Sequence, residues 1–233
     1  MVANTDPLNG YLSVDQLQAA IGDTTLSHLD EHARAISSAS RQIDMWAGRY
    51  FYQDDAPSAR LLNATDRTCV CPGDFDSTTG VIVKTDDDDD GVYETTWASN
   101  QWQAQSGSVP NMPFVRFNGW PWTTISTTTR TREFPISGRR PSIQVTATWG
   151  WATVPTAIEQ ACEALAILYY QSKDSSAGGM IEIDNIDRLS TDPIVVARAL
   201  VRDYAVPGGT LYVPPEPPLV MPAPKAAKRS RPS

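Results

Sequence analysis

The sequence predicts an α+β protein: a small α-helical bundle with a β-rich insertion and an extended C-terminal arm. Three observations carry this reading. Apolar residues recur at spacings of three and four near the N-terminus and again after Pro155. Between them, short β-type runs alternate with turn signals and show no helical period. Beyond Tyr204, prolines and basic residues replace any pattern that could close a core. The expected division places bundle helices at 1–50 and 152–205, the β-rich insertion at 51–151 and the arm at 206–233.

The first helix begins at a capping box, Ser13-Val14-Asp15-Gln16, in which the Ser13 hydroxyl and the Gln16 side chain each satisfy the other's backbone amide. Leu17, Ala20 and Ile21 form its apolar face, and Gly22 is placed to stop it. A longer helix is expected from Leu26 to Arg49, with a stripe of Leu26, Leu29, Ala33, Ile36, Ser40, Ile43 and Ala47. Much of that stripe is small, so another helix can come close. Asp44 and Arg49 fall off the stripe and are free to pair with strand backbone or with a neighbour.

The β-type runs are Arg60–Leu62, Cys69–Cys71, Val81–Val83, Val92–Thr95, Phe114–Phe117 and Ile143–Ala147. Trp149 and Trp151 flank Gly150 at the return to helix. Each ring can bury about 150–250 Å², enough to anchor the β unit on the helices. Val154-Pro155 ends the extended segment, because proline pushes its predecessor out of the helical region. In the helix that follows, Ile158, Ala161, Cys162, Leu165, Leu168 and Tyr169 form one face. Ala164, Ile167 and Tyr170 make a second side apolar, which predicts contact with another subunit or helix. Asp192 and Pro193 then cap and open a last helix, with Ile194, Ala197, Leu200, Val201 and Tyr204 on its buried face.

In the arm, prolines favour polyproline II, and residues 206–224 at about 3.1 Å each reach on the order of 60 Å. Leu211, Tyr212, Val213, Leu219, Val220 and Met221 are apolar anchors along that reach, which a purely solvated linker does not need. Lys225, Lys228, Arg229 and Arg231 close the chain.

Composition limits the function. The 233 residues, 41% hydrophobic, suffice for one sizeable core or a core and a smaller unit. With 19 basic and 27 acidic residues, the formal charge is −8. Proteins that grip the DNA backbone are usually basic, so DNA passing by is a better expectation than DNA held. Cys69, Cys71 and Cys162 are expected as reduced thiols, since two cysteines two apart on one strand are poorly placed to bridge. No signal peptide or membrane span is expected: the longest apolar stretch, Ala161–Tyr170, is about half the length a span needs.

Several constellations invite chemistry. His28 and His32 share a helical face, but Leu29 stands where the zinc-protease pattern requires Glu, and an exposed face is the expectation. Asp86, Asp88, Asp90 and Glu94 occupy positions 1, 3, 5 and 9 of an acidic loop with Gly91 at its turn. That spacing offers hard oxygen ligands to Ca²⁺, whereas Trp97 at position 12 departs from the EF-hand. A solvated hairpin tip is the other reading. The tryptophans of the β unit suggest carbohydrate stacking or, equally, core packing. There is no phosphate-binding glycine loop and no nucleophile elbow, and the 2 histidines share one helix, so no enzyme is expected and no cofactor beyond the calcium candidate.

Three blocks together resemble the head–tail connector (adaptor) family of tailed bacteriophages, siphophage type. They are Ala39–Asp44 running into Gly48–Phe51; Asp74–Gly80 with Val81–Asp86 and Tyr93–Trp97; and Thr148–Trp151 with Val154-Pro155 and Ala161-Cys162. The resemblance spans residues 10–205 and departs at the arm. It implies a non-enzymatic virion subunit made in the bacterial cytoplasm and working at the neck. About twelve copies would form a homo-oligomeric ring through head-to-tail contacts. The ring would join the portal protein to a head-closure (stopper) or tail-completion protein, with genomic double-stranded DNA passing through its lumen. The competing expectations are a carbohydrate-binding or adhesin-like β module, and the stopper itself.

Overall fold

The computed structural model describes residues 6–23, 25–64, 66–106, 120–129, 132–136, 140–172 and 192–206. Four α-helices and two antiparallel sheets occur among them, a mixed α+β fold. The expected run Phe114–Phe117 and the arm anchors Leu211, Tyr212, Val213, Leu219, Val220 and Met221 lie outside the described residues.

Helix α1 (Val14–Ile21) starts at the predicted capping box, with Ser13 Oγ accepting from the Gln16 amide at 3.2 Å and Gln16 Oε1 accepting from the Ser13 amide at 2.8 Å. Helix α2 (Leu29–Ala47) is entered through a 3₁₀ turn at Leu26–His28 and stopped at Gly48, whose φ of 66° suits glycine and lets its amide reach the Asp44 carbonyl. Helix α3 (Thr156–Ser172) opens directly after Pro155, and α4 (Pro193–Arg202) is capped by Asp192 accepting from the Ile194 amide at 2.9 Å. Helix α3 packs on α2 and α4.

The stripe on α2 needs two corrections. Leu26 lies in the 3₁₀ turn, before the helix proper, and is 69% exposed. His32 is fully buried instead of exposed. The buried surface of α2 is wider than one stripe and includes Ala35, Ala39 and Trp46, since both α1 and α3 pack on it.

One sheet has the order β1-β7-β3-β4, from β1 (Ser58–Leu62), β7 (Ile143–Ala147), β3 (Ile82–Thr85) and β4 (Thr95–Thr96). The other has the order β2-β6-β5, from β2 (Cys69–Val70), β6 (Thr124–Thr127) and β5 (Trp102–Gln105). Strand β7 alternates buried and half-buried residues, the period expected of a sheet with one covered face. The run Val92–Glu94 is not strand; pairing begins only at Thr95. Strands β5 and β6 were not anticipated, because Gln, Ser and Thr fill most of their positions and leave only Trp102, Ala104 and Ile125 as apolar residues to read.

Two hydrophobic cores result. The helical core holds Leu17, Ile36, Ile43, Phe51, Trp151, Ile158, Leu165 and Val201 among others. The sheet core holds Phe75, Val83, Trp97, Ile125, Phe134, Val145 and Trp149. No helix among the described residues is long and apolar enough to cross a membrane.

Candidate functional site at the helix–sheet junction

The chain crosses between the two cores at Gly48–Tyr52 and at Trp149–Trp151, and these crossings lie side by side. The Trp151 amide donates to the Tyr52 carbonyl at 3.2 Å, the Asp54 amide to the Trp149 carbonyl at 2.8 Å and the Gly150 amide to the Asp74 carbonyl at 2.8 Å. Gly150 has φ of 101°, and a Cβ placed there would stand 1.9 Å from the Tyr52 carbonyl oxygen. Only glycine fits so close an approach. Its neighbours then point opposite ways: Trp149 into the sheet core, Trp151 into the helical core.

Around Trp151 an aromatic cluster closes the end of the bundle. Trp120 stacks on Tyr204 with ring centroids 5.1 Å apart, and both lie within 6 Å of Trp151, as does Phe51. The Trp151 Nε1 donates to Asp74 Oδ2 at 3.0 Å, and Arg49 Nη1 stands 3.5 Å from Asp74 Oδ1. Burial raises the Asp74 carboxyl above its ordinary range, with the Arg49 charge and the Trp151 N–H opposing. Burial also lowers Arg49, yet a guanidinium remains a cation at neutral pH.

A second buried polar knot sits on α2. Tyr11 donates its hydroxyl to Asp44 and accepts from the Phe51 amide at 2.9 Å, while Arg41 Nε stands 3.0 Å from Asp44. Burial raises Asp44, against the Tyr11 hydrogen bond and the Arg41 charge. Tyr11 is itself raised, by burial first and then by Asp44. Asp44 was expected to find a strand or a neighbour; it finds the segment before α1 instead. Arg49 does meet the β unit, through Asp74 on the loop after β2.

The structure brings Asp86, Asp88, Asp90 and Glu94 together, with one carboxylate oxygen of each within 4.8 Å of the others. Asp86 is buried and accepts from the amides of Asp90 and Gly91, at 3.2 and 2.8 Å. Glu94 accepts from the Asp87 amide at 3.1 Å, and Asp90 from the Val92 amide at 2.7 Å. The loop's own amides therefore fold it, and its oxygens form a set that a hard cation could also use. The Asp90 charge raises the Asp88 carboxyl above its ordinary value.

No family model matches the chain, and no curated protein matches it. Solved structures do. A chain in the neck of an empty GTA particle computed with C6 symmetry superposes over 84% of this chain and 91% of its own, with a TM-score of 0.52 and 17% identity. A chain in the virion of the native gene transfer agent (GTA) particle covers 85% of this chain and 91% of its own, with a TM-score of 0.51 and 15% identity. The fold is shared with both.

The remaining predicted positions are distributed as follows. Ala164, Ile167 and Tyr170 are half-buried on α3, with Ile167 and Tyr170 packed at the edge of the helical core. The Tyr170 hydroxyl lies 3.2 Å from His28 Nδ1, and Asp23 Oδ2 stands 3.1 Å from His28 and 3.5 Å from His32. The histidines thus tie the α1–α2 turn to α3. Trp46, Trp97, Trp102, Trp149 and Trp151 are all buried, and Trp120 and Trp122 are half-buried, so their faces serve packing before any ligand. The three cysteines are free thiols, and burial pushes Cys162 up to about 11. Sequence reading missed Tyr11 and Arg60, for which neither periodicity nor a motif offered a signal.

Proposed function

We propose that this chain is a non-enzymatic structural subunit of the neck of a tailed-phage-like particle, a head–tail connector (adaptor). Copies form a ring, twelvefold by the family resemblance, beneath the portal. The opposite side of that ring receives the head-closure (stopper) or tail-completion protein, and genomic DNA passes through the lumen. The observation that carries this reading is the fold shared over 84% of the chain with a chain in a GTA neck. The sequence blocks that resemble the adaptor family agree with it, since they coincide with the junction residues Arg49, Asp74 and Trp149–Trp151. A formal charge of −8 suits a channel wall along which DNA slides without adhering.

Within this reading, Ala164, Ile167 and Tyr170 form a contact to a neighbouring subunit. The arm, with Leu211, Tyr212, Val213, Leu219, Val220 and Met221, latches an adjacent subunit or the next ring. The carbohydrate-binding alternative loses its main support, because the tryptophans that suggested it are occupied in the cores.

Negative-stain imaging of the full chain mixed with its portal tests the proposal. The expected image is an additional ring stacked on the portal, and a portal without added density refutes the reading. In the same assay Ile167→Asp, which puts a carboxylate against a half-buried apolar face, is expected to abolish the added ring. Removal of residues 207–233 is expected to leave folded subunits that dock unstably.

A further inference from the structure

The helix–sheet junction holds a positively charged groove in an otherwise acidic protein. It measures about 200 Å³, and Arg49, Tyr50, Arg60, Gly73, Asp74 and Gly150 line it. The Arg49 side chain is only 8% exposed, and its Nε and Nη1 are buried without a hydrogen-bond partner. Its nearest carboxylate, Asp74, stands at ion-pair distance, 3.5 Å, and already accepts from Trp151. Arg60 lies 4.1 Å over the Trp149 ring and gives one N–H to the Pro72 carbonyl at 3.0 Å. Asp74, the one carboxylate lining the groove among the described residues, pairs with Arg49 and accepts from the Trp151 indole, while Arg60 is held by a carbonyl and a ring. A buried cation short of acceptors costs free energy, and two arginines against one aspartate leave the lining of the groove with a net positive charge. Tyr50, 55% exposed, and the adjacent Met45, 68% exposed, supply an apolar rim.

The chain carries the complementary group at the other end of the same strands. Thr85 pairs with Ile143 where β3 enters the acidic loop; Ile82 pairs with Thr146 at the opposite end, from which the chain runs on to Trp149 and Gly150. Groove and loop thus cap opposite ends of the β3–β7 pair. At about 3.3 Å per residue they are separated by on the order of 15 Å, so one chain cannot close them on each other. Arg132 approaches Asp87 at 4.0 Å, and Arg140 donates to the Asp90 carbonyl. Asp88 is exposed and accepts from the Asp90 amide at 3.3 Å.

We propose that the Arg49–Arg60 groove of one copy is the docking site for the acidic loop Asp86–Asp90 of a second copy. Two complementary patches at opposite ends of one subunit are what a head-to-tail, ring-closing contact requires. Carboxylate on guanidinium is a charge-assisted pairing, and the two arginines of the groove and the exposed Asp88 of the loop are its complementary halves. The inference rests on the ring reading above and names the contact between its subunits.

The test is sedimentation velocity of the full chain with Arg60→Glu and Asp88→Lys, alone and mixed, in the absence and presence of portal. Circular dichroism checks that each variant is folded, and Arg60→Gln and Asp88→Asn serve as milder versions should a reversal disturb folding. Each reversal is expected to weaken self-association tenfold or more, and raising NaCl from about 50 to about 500 mM should weaken the wild type similarly. An equimolar mixture of the two reversals should recover association. The reversed groove of one variant then attracts the reversed loop of the other, and each native patch still finds its partner. Rings that form undiminished with both reversals overturn the docking site and leave the ring reading intact. A wild-type chain that stays monomeric with and without portal overturns both.

Discussion

The helical core and the sheet core are filled by different kinds of side chain. Where helices cross, small residues dominate: Ala35, Ala39, Ala47, Ala161 and Ala166 are all buried, which lets α2 and α3 approach closely. The sheet core depends on large rings. Trp97 and Phe134 stack with centroids 4.5 Å apart, and Trp149 meets Phe75 edge-on at 6.2 Å. Its strands are two to five residues long, so the ladders contribute few hydrogen bonds and the rings must supply the cohesion. The helical half spreads its stability over many modest contacts. The β half concentrates it in a few anchors, and the junction is built in that second way.

That contrast can be broken most directly at Gly150. Gly150→Ala would drive a methyl into the Tyr52 carbonyl at a backbone angle that alanine resists. A loss above about 3 kcal/mol is expected in urea unfolding. A loss within about 1 kcal/mol would mean the two crossings can separate, and the junction would no longer count as a concentrated anchor.

Trp151→Ala comes next, at about 3–5 kcal/mol, because it removes the ring that carries the junction into the helical core together with its hydrogen bond to Asp74. The matched change in the dispersed half, Ala166→Gly, is expected to cost about 1 kcal/mol. Equal losses would erase the distinction between the cores.

The buried polar knot sharpens the comparison through pH. Burial raises the Asp44 carboxyl in the folded chain, so the folded state holds its proton more tightly than the unfolded state. That contribution is fully present below the ordinary carboxylate value and is lost as pH rises through the raised folded value. In Asp44→Asn the melting temperature should be flatter across that window. An unchanged pH profile would assign the slope to other groups, Asp74 among them.

The smallest effect is expected at the acidic loop, where amides already occupy oxygens of Asp86, Asp88, Asp90 and Glu94. Millimolar calcium should leave the melting temperature unchanged. A rise that Asp88→Ala abolishes would instead make the loop a metal site.

Much of this was legible residue by residue. Ser13 with Gln16, Gly22, and Asp192 with Pro193 mark helix ends by local hydrogen bonding, and a local rule reads them correctly. Ile143–Ala147 alternates because one face of its sheet is covered. Trp149-Gly150-Trp151 was visible as an anchor because two large rings around a glycine have few other uses. The three-stranded sheet was hidden, since β5 and β6 are polar and gain their strand character from the partners they pair with. His32 on a charged helix face gave no sign that Tyr170 would cover it.

The α+β class, the caps of α1 and α4 and the acidic loop were determined by sequence alone, because each depends on neighbours within a few positions. Tertiary structure decided the rest: that Asp74 answers Arg49, that Tyr11 closes on Asp44, and that groove and loop stand at opposite ends of one strand pair. Those relations join residues 25 to more than 60 positions apart. Their partners are set by strand register and helix packing, which no local spacing encodes.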